Sequence, residues 1–246
     1  VTDSLGPRLK VGVVVPATNT SVQPEMEAMR PRGVTNHTGR MLTADLSISD
    51  EIGSLVNSYR EATYQAIESL TPCYPDCVVL GFSPEIYWDG AEHHAQVIAS
   101  MQSATGGIPA IMSPDAISAA LDAYGARRIA LITPYVPVGD DTASRFFIDT
   151  GYDVATVRGL GCSNPALIAH VSEAQLRDTI KEIDVRDVDA IVQIGTNAAM
   201  TRLAAVAEQW IDKPVISNNA ALYWHALRRS GVEDRVHGLG SLLADH

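Results

Sequence analysis

Six short segments of this 246-residue chain hold most of the side chains that could do chemistry: PATNTS (16–21), GFSPE (81–85), SPD (113–115), TPYVP (133–137), GTNAA (195–199) and SNNA (217–220). They are rich in Ser, Thr, Asn and Gly and poor in charge. Such hydroxyls, amides and backbone N–H groups at helix N-termini are the donors that hold a carboxylate or a developing oxyanion. None of the segments carries a GxxxxGK[ST] or GxGxxG pattern, so nucleotide binding has no support. Glu85 stands where it can project into a cleft as an acid or base, although an acid there also suits a helix N-terminus. Asn19 suits substrate binding, or an Asx turn that caps a helix. His93 and His94, in EIYWDGAEHH, are the imidazole candidates; on a helix such a pair more often faces solvent or the edge of a core.

The three cysteines are Cys73, Cys77 and Cys162. An odd count favours free thiols in a reducing cytoplasm. Cys73 and Cys77 lie in TPCYPDC without a second pair at zinc spacing, so they read as structural and no metal is expected.

The elements that must position these loops alternate. Strands are expected at LKVGVVV, DCVVLG, IPAIM, RRIALIT, DVATVRG, DAIVQIG and KPVIS. Helices are expected at Asp50–Ser69, Ala91–Thr105, Pro114–Tyr124, Thr142–Thr150, Glu173–Ile183, Met200–Gln209 and Ala221–Ser230. Asp115 is expected to cap the third of these helices and Gly125 to end it. The order repeats: Pro16 matches Pro134, Gly81 matches Gly195 and Pro109 matches Pro214, at offsets of 118, 114 and 105 residues. A period this long means a duplicated α/β unit, with ligands bound beyond the carboxyl ends of the strands.

The bulk properties agree. The chain is 46% hydrophobic and 19% charged, with a formal net charge of −11. That charge repels phosphate backbones, so no nucleic-acid partner is expected. No apolar run is long enough to span a membrane, and VTDSLGPRLK lacks the apolar core of a signal peptide; the expectation is a cytoplasmic protein.

At VGVVVPATNT, VVLGFSPEIYWDG, ALITPYV, VRGLG, VQIGTNAAM and KPVISNNAALYWHALR the chain resembles the aspartate/glutamate racemase superfamily. Within it, the similarity is to the branch of arylmalonate decarboxylase and maleate cis–trans isomerase. The resemblance spans nearly the whole sequence. It implies an α/β fold of two pseudo-symmetric Rossmann-like domains, each a four-stranded parallel sheet flanked by helices, with the active site between them. It implies no cofactor and no metal, and a last helix that returns to the first domain. The boundaries then fall at 1–107 plus 216–246 for one domain and 108–215 for the other.

The family works with two cysteines, one per half, and the matching positions here are Gly81 and Gly195. Both thiols are absent there, and Cys162, in GLGCSN, lies on another loop. Two-base racemisation and thiolate addition to a double bond both lack their usual groups. Decarboxylation through an enediolate held in an oxyanion hole transfers best. By resemblance that hole uses Ser83, Tyr135 and the amides of Gly195, Thr196 and Asn197. Pro16, Asn19, Gly81, Phe82 and Asn218 complete the expected contacts to a small carboxylic-acid substrate. The alternatives are a hydrolase or amidase with Glu85 or a histidine as base, and a non-catalytic carboxylate binder. Self-association into a homo-oligomer is left open.

Overall fold

The computed structural model describes residues 3–42, 52–82, 90–184 and 186–246, with the side chains of 52–58 and 91–93 excepted. Strand β1 (Leu9–Pro16) is followed by α1 (Val22–Met29), β2 (Val34–Met41), α2 (Ile52–Leu70), β3 (Cys77–Leu80), α3 (Gly90–Ala104), β4 (Ala110–Ile111) and α4 (Ser113–Tyr124). The second half runs β5 (Arg128–Thr133), α5 (Pro137–Asp149), β6 (Asp153–Gly159), α6 (Pro165–Ile168), α7 (Glu173–Ile183), β7 (Ala190–Gln193), α8 (Thr201–Ile211), β8 (Val215–Ser217), α9 (Asn218–Arg229) and α10 (Ser241–Asp245). The strands form two four-stranded sheets of matching order, β2-β1-β3-β4 and β6-β5-β7-β8. Every pairing is parallel. The expected α/β architecture is thus the observed one.

Alternation along β1 divides the interior. Val11, Val13 and Val15 join a core that also takes in Val79, Ile117, Leu131, Val192, Tyr223 and Leu227, so it runs from one sheet through α4 and α9 to the other. Val14 points the opposite way, to a layer containing Tyr59, Ile67, Leu80, Phe82 and Met101. The second sheet has its own outer layer, with Ile132, Ile180, Ile191 and Leu203. Both sheets are therefore covered on both faces, which explains why their strands read as continuous apolar runs.

Four sequence expectations shift. Strand β2 was not anticipated: VTNHTGRM has no apolar alternation, and it lies at a sheet edge with middle positions only half-buried. Helix α1, with Pro24 inside an eight-residue VQPEMEAM, was also missed. Helix α4 starts two residues before Asp115 and its N-cap is Met112; the Asp115 carboxylate instead bonds His94 Nε2 at 3.1 Å. Gly125 does end α4 at φ 65°. Finally, β4 pairs with β3, and Val78 N donates to Pro109 O at 2.9 Å, so the first sheet extends beyond the expected break at 107/108. Likewise β8 pairs with β7, so residues 216 and 217 belong to the second sheet, and the chain crosses over only at α9.

The strand register corrects the repeat. Val14 pairs with Leu80 and Ile132 pairs with Gln193. With Pro16 matched to Pro134, Gly81 corresponds to Ile194 and Phe82 corresponds to Gly195. A shift of one residue exchanges the faces of a strand. Ile194 accordingly lies in the central core, and a Cβ at Gly81 would meet Val15 and Val22 of that same core.

Asp76 and Asp189 tie the amino ends of the strands in the same way. Asp76 accepts from Lys10 N at 2.7 Å, and Asp189 Oδ2 accepts from Arg127 N and Arg128 N at 2.8 Å each. Those amides hold the Asp189 carboxyl below the usual carboxylate range. A depressed folded-state value stabilises above the unfolded value near 4 and is lost as pH falls through the folded value. Asp189→Ala is therefore expected to cost about 1 kcal/mol at pH 7, given its exposure. In urea melts the gap to wild type should shrink steadily between pH 4 and pH 2.

Candidate active site

At the carboxyl ends of the strands, between the halves, lies a cavity of about 40 Å³ lined by Pro16, Thr18, Asn19, Tyr59, Phe82, Tyr135, Pro165, Ile168, Gly195, Thr196 and Asn197. Seven residues anticipated from sequence meet here: Pro16, Asn19, Phe82, Tyr135, Gly195, Thr196 and Asn197. Ser83 and Glu85 lie outside the described residues. Gly81 is not in the wall, since its missing side chain would face the core, but its carbonyl accepts from Thr196 Oγ1 at 2.8 Å. Asn218 is fully buried elsewhere, bonded to Ser113 through its side chain and to Gln193 Oε1 through its N–H at 3.3 Å. His94 is also absent from the wall; it joins Asp115 and stands edge-on to Phe146 with centroids 5.7 Å apart.

Tyr59, Thr18, Pro165 and Ile168 are lining residues that sequence reasoning missed. Tyr59 comes from the middle of α2 and α6 brings Pro165 and Ile168, so neither element presents a strand exit. The only signal for Tyr59 was a large aromatic on the inner face of an expected helix. Its ring meets Phe82 edge-to-face at 6.2 Å, an arrangement that aromatic quadrupoles favour.

The polar side chains around the cavity are largely committed to one another. Asn19 Oδ1 accepts from Ser21 N and Val22 N at 3.0 Å each, capping α1, while its Nδ2 donates to Thr196 Oγ1 at 3.1 Å. Asn197 Oδ1 accepts from Thr20 N at 2.9 Å, and its Nδ2 donates to Pro165 O at 2.9 Å. By contrast, no hydrogen bond from the N–H groups of Gly195, Thr196 or Asn197 is found among the described residues. The same three residues line the cavity beside the apolar side chains of Phe82 and Ile168.

Tyr135 reaches the cavity from the β5 exit. Its N–H donates to Thr133 Oγ1 at 3.1 Å, and its ring crosses the first turn of α5, where a Cβ at Gly139 would come within 2.9 Å of the ring. Cys162 is near but buried: its N–H donates to Pro134 O at 2.9 Å and its side chain packs with Ile168 and Ala198. Burial pushes its thiol up, away from the reactive thiolate. Cys77 begins β3 at the opposite end of the sheet, its thiol raised to about 11 by burial, and Cys73 precedes it there.

A family profile for arylmalonate decarboxylase matches residues 11–243. The chain belongs to the arylmalonate decarboxylase family. This family sits in the aspartate/glutamate racemase superfamily and includes maleate isomerases. The maleate isomerase of Pseudomonas putida is 28% identical over 96% of this chain and 97% of its own length. Among solved structures, the maleate cis-trans isomerase of Nocardia farcinica with a covalently bound succinylcysteine intermediate superposes with a TM-score of 0.88. It is 21% identical, covering 97% of this chain and 99% of that one. The maleate isomerase of Pseudomonas putida S16 with maleate also gives 0.88, at 24% identity over 96% of this chain and 97% of that one. These likenesses establish the fold in this family member.

Gly195 adopts φ +95°, and a Cβ there would lie 2.5 Å from Pro134 Cγ and 2.7 Å from its Cδ. Both the backbone and the space demand glycine. Gly195→Ala is expected to destabilise by at least about 2 kcal/mol, from strain plus overpacking. Gly81 has no positive φ, so in parallel thermal melts Gly81→Ala should lose less. Equal losses would contradict this account.

Proposed function

We propose that this protein is a cofactor-independent enzyme acting at the carbon next to a carboxylate of a small dicarboxylic acid, through an enediolate. The observation that carries this reading is that Gly195, Thr196 and Asn197, whose N–H groups donate no hydrogen bond among the described residues, line one cavity with Tyr59, Phe82, Tyr135 and Ile168. One carboxylate binds the amides while the other lies against the apolar walls, where its charge is poorly solvated. Its C–C bond breaks heterolytically, carbon dioxide leaves, and the electron pair passes into the enediolate that the amides stabilise. A proton then returns to the carbon. Tyr135 and Tyr59 both bring a phenol to the wall, and Tyr135 is the proton donor of this reading.

Membership of the family and the full-length similarity to maleate isomerases support a small diacid as substrate. Between the two reaction types, the placement of the thiols favours decarboxylation over thiolate addition. Cys162 is a buried neutral thiol and the other two cysteines lie at the far ends of the strands. The test is incubation with methylmalonate, phenylmalonate and maleate, without metal or nucleotide, following carbon dioxide release and cis–trans conversion. Decarboxylation of a malonate is expected. Binding without turnover would make the protein a carboxylate binder, and neither binding nor turnover would sink the reading.

The size of the cavity adds a second expectation. A volume of about 40 Å³ is far below the roughly 300–1,000 Å³ of sites for larger ligands. Phe82, at the β3 exit, brings an aromatic ring into the wall where its counterpart in the other half is glycine. Phe82→Ala should raise kcat/KM for phenylmalonate relative to methylmalonate by about tenfold or more, the scale set by fit in an apolar pocket. An unchanged ratio would mean that Phe82 does not limit substrate size.

A further inference from the structure

The loop after β7 turns its two sets of polar groups in opposite directions. The carbonyls of Ile194 and Gly195 both accept from Gln193 Nε2 at 2.7 Å, and Thr196 O accepts from Asn219 Nδ2 at 2.8 Å. A trans peptide is planar, so the N–H in each unit points away from its carbonyl. Holding those three carbonyls therefore aims the N–H groups of Gly195, Thr196 and Asn197, the same three that donate no hydrogen bond among the described residues.

Asn219 is held in turn. Its Nδ2 also donates to Glu25 Oε2 at 2.6 Å, and Glu25 Oε1 accepts from Thr201 N, at the start of α8, at 2.8 Å. Asn219 is 1% exposed and its Oδ1 has no hydrogen-bond partner among the described residues. An unpaired buried acceptor is costly, yet the opposite flip would set Oδ1 against two acceptors at once. Glu25 thus locks the amide in the one orientation that grips Thr196 O. Gln193 is fixed similarly, since its Oε1 accepts from Asn218 N at 3.3 Å. Burial raises the Glu25 carboxyl above its usual range, a cost that its bonds to Asn219 and Thr201 partly offset.

We propose that Gln193, Asn219 and Glu25 are positioning residues for the oxyanion hole: they touch no substrate and set the direction of its three N–H donors from behind. None of the three lines the cavity. A set of this kind gives a role to a half-buried carboxylate and an unsatisfied amide oxygen that stand 23 residues and more from the loop they serve. The proposal rests on the enediolate reading for its catalytic consequence, but its geometric content stands apart from it.

The experiment has two readouts. In crystal structures, Asn219→Leu, which keeps the volume and removes the donor, should show the Thr196–Asn197 peptide rotated from its wild-type orientation. Glu25→Gln, of the same shape as wild type, sets an amide nitrogen against Asn219 Nδ2 and should give the same rotation if the leucine variant does not fold. In kinetics on the diacid that wild type turns over, either variant should lose about tenfold to a hundredfold in kcat with KM within about threefold, the pattern of weakened transition-state donors. The double variant should lose no more than the worse single one, because both act through one bond. An unrotated peptide, or unchanged kcat, overturns the proposal. Absence of turnover by wild type would defeat the enediolate reading alone, and the peptide orientation would still decide this one.

Discussion

The hydroxyl of Thr196 has one proton to give and lone pairs to offer, and both are used across the junction of the two halves. It donates to Gly81 O at the exit of β3 and accepts from Asn19 Nδ2, whose other end caps α1 after β1. Three strand exits from two sheets are thereby pinned to one buried atom. Each bond alone contributes only about 0.5–1.5 kcal/mol. Their importance is geometric: a break would leave a buried amide or carbonyl without water to replace its partner, so the exits keep their spacing. The floor of the cleft is as rigid as a core because it is built like one.

That rigidity decides which groups remain for chemistry. Asn19, Thr196 and Asn197 have the side chains expected of a polar binding site, yet most of their donors and acceptors are spent on the scaffold. What they leave over is backbone. Fixed N–H dipoles that need not reorganise are well suited to charge that develops during a reaction, whereas flexible side-chain donors would stabilise ground and transition states alike. The apolar walls of Tyr59, Phe82 and Ile168 strengthen this, since a donor beside low-dielectric surroundings exerts a larger effect.

Much of the fold was legible because it rests on local rules. β-branched runs such as VGVVV and RIALIT, each ending at a proline, mark buried parallel strands, and helix α7 was read from Glu173 to Ile183 as observed. Strand β2 was not legible, because an edge strand half-exposed on its faces has no pattern to show. The repeat was visible, but its register at the β3 and β7 exits was one residue off: matching Gly81 to Gly195 satisfied the letters, while hydrogen bonding to β1 and β5 matches Phe82 to Gly195. In the site, the loops that follow strands were found from sequence. Tyr59 and Glu25 were not, because each acts from a helix whose partners, Phe82 for one and Thr201 and Asn219 for the other, lie far away in sequence.

The contact between Gly195 and Pro134 reaches beyond stability. Pro134 occupies the volume in which any side chain at 195 would begin. The two positions are therefore not independent in sequence space: a side chain can enter at 195 only with a smaller residue at 134 and a reshaped turn. Any side chain at 195 is thus coupled to a change at 134. Placing a chemical group at that strand exit therefore takes a change at two positions, or a loss of stability at one.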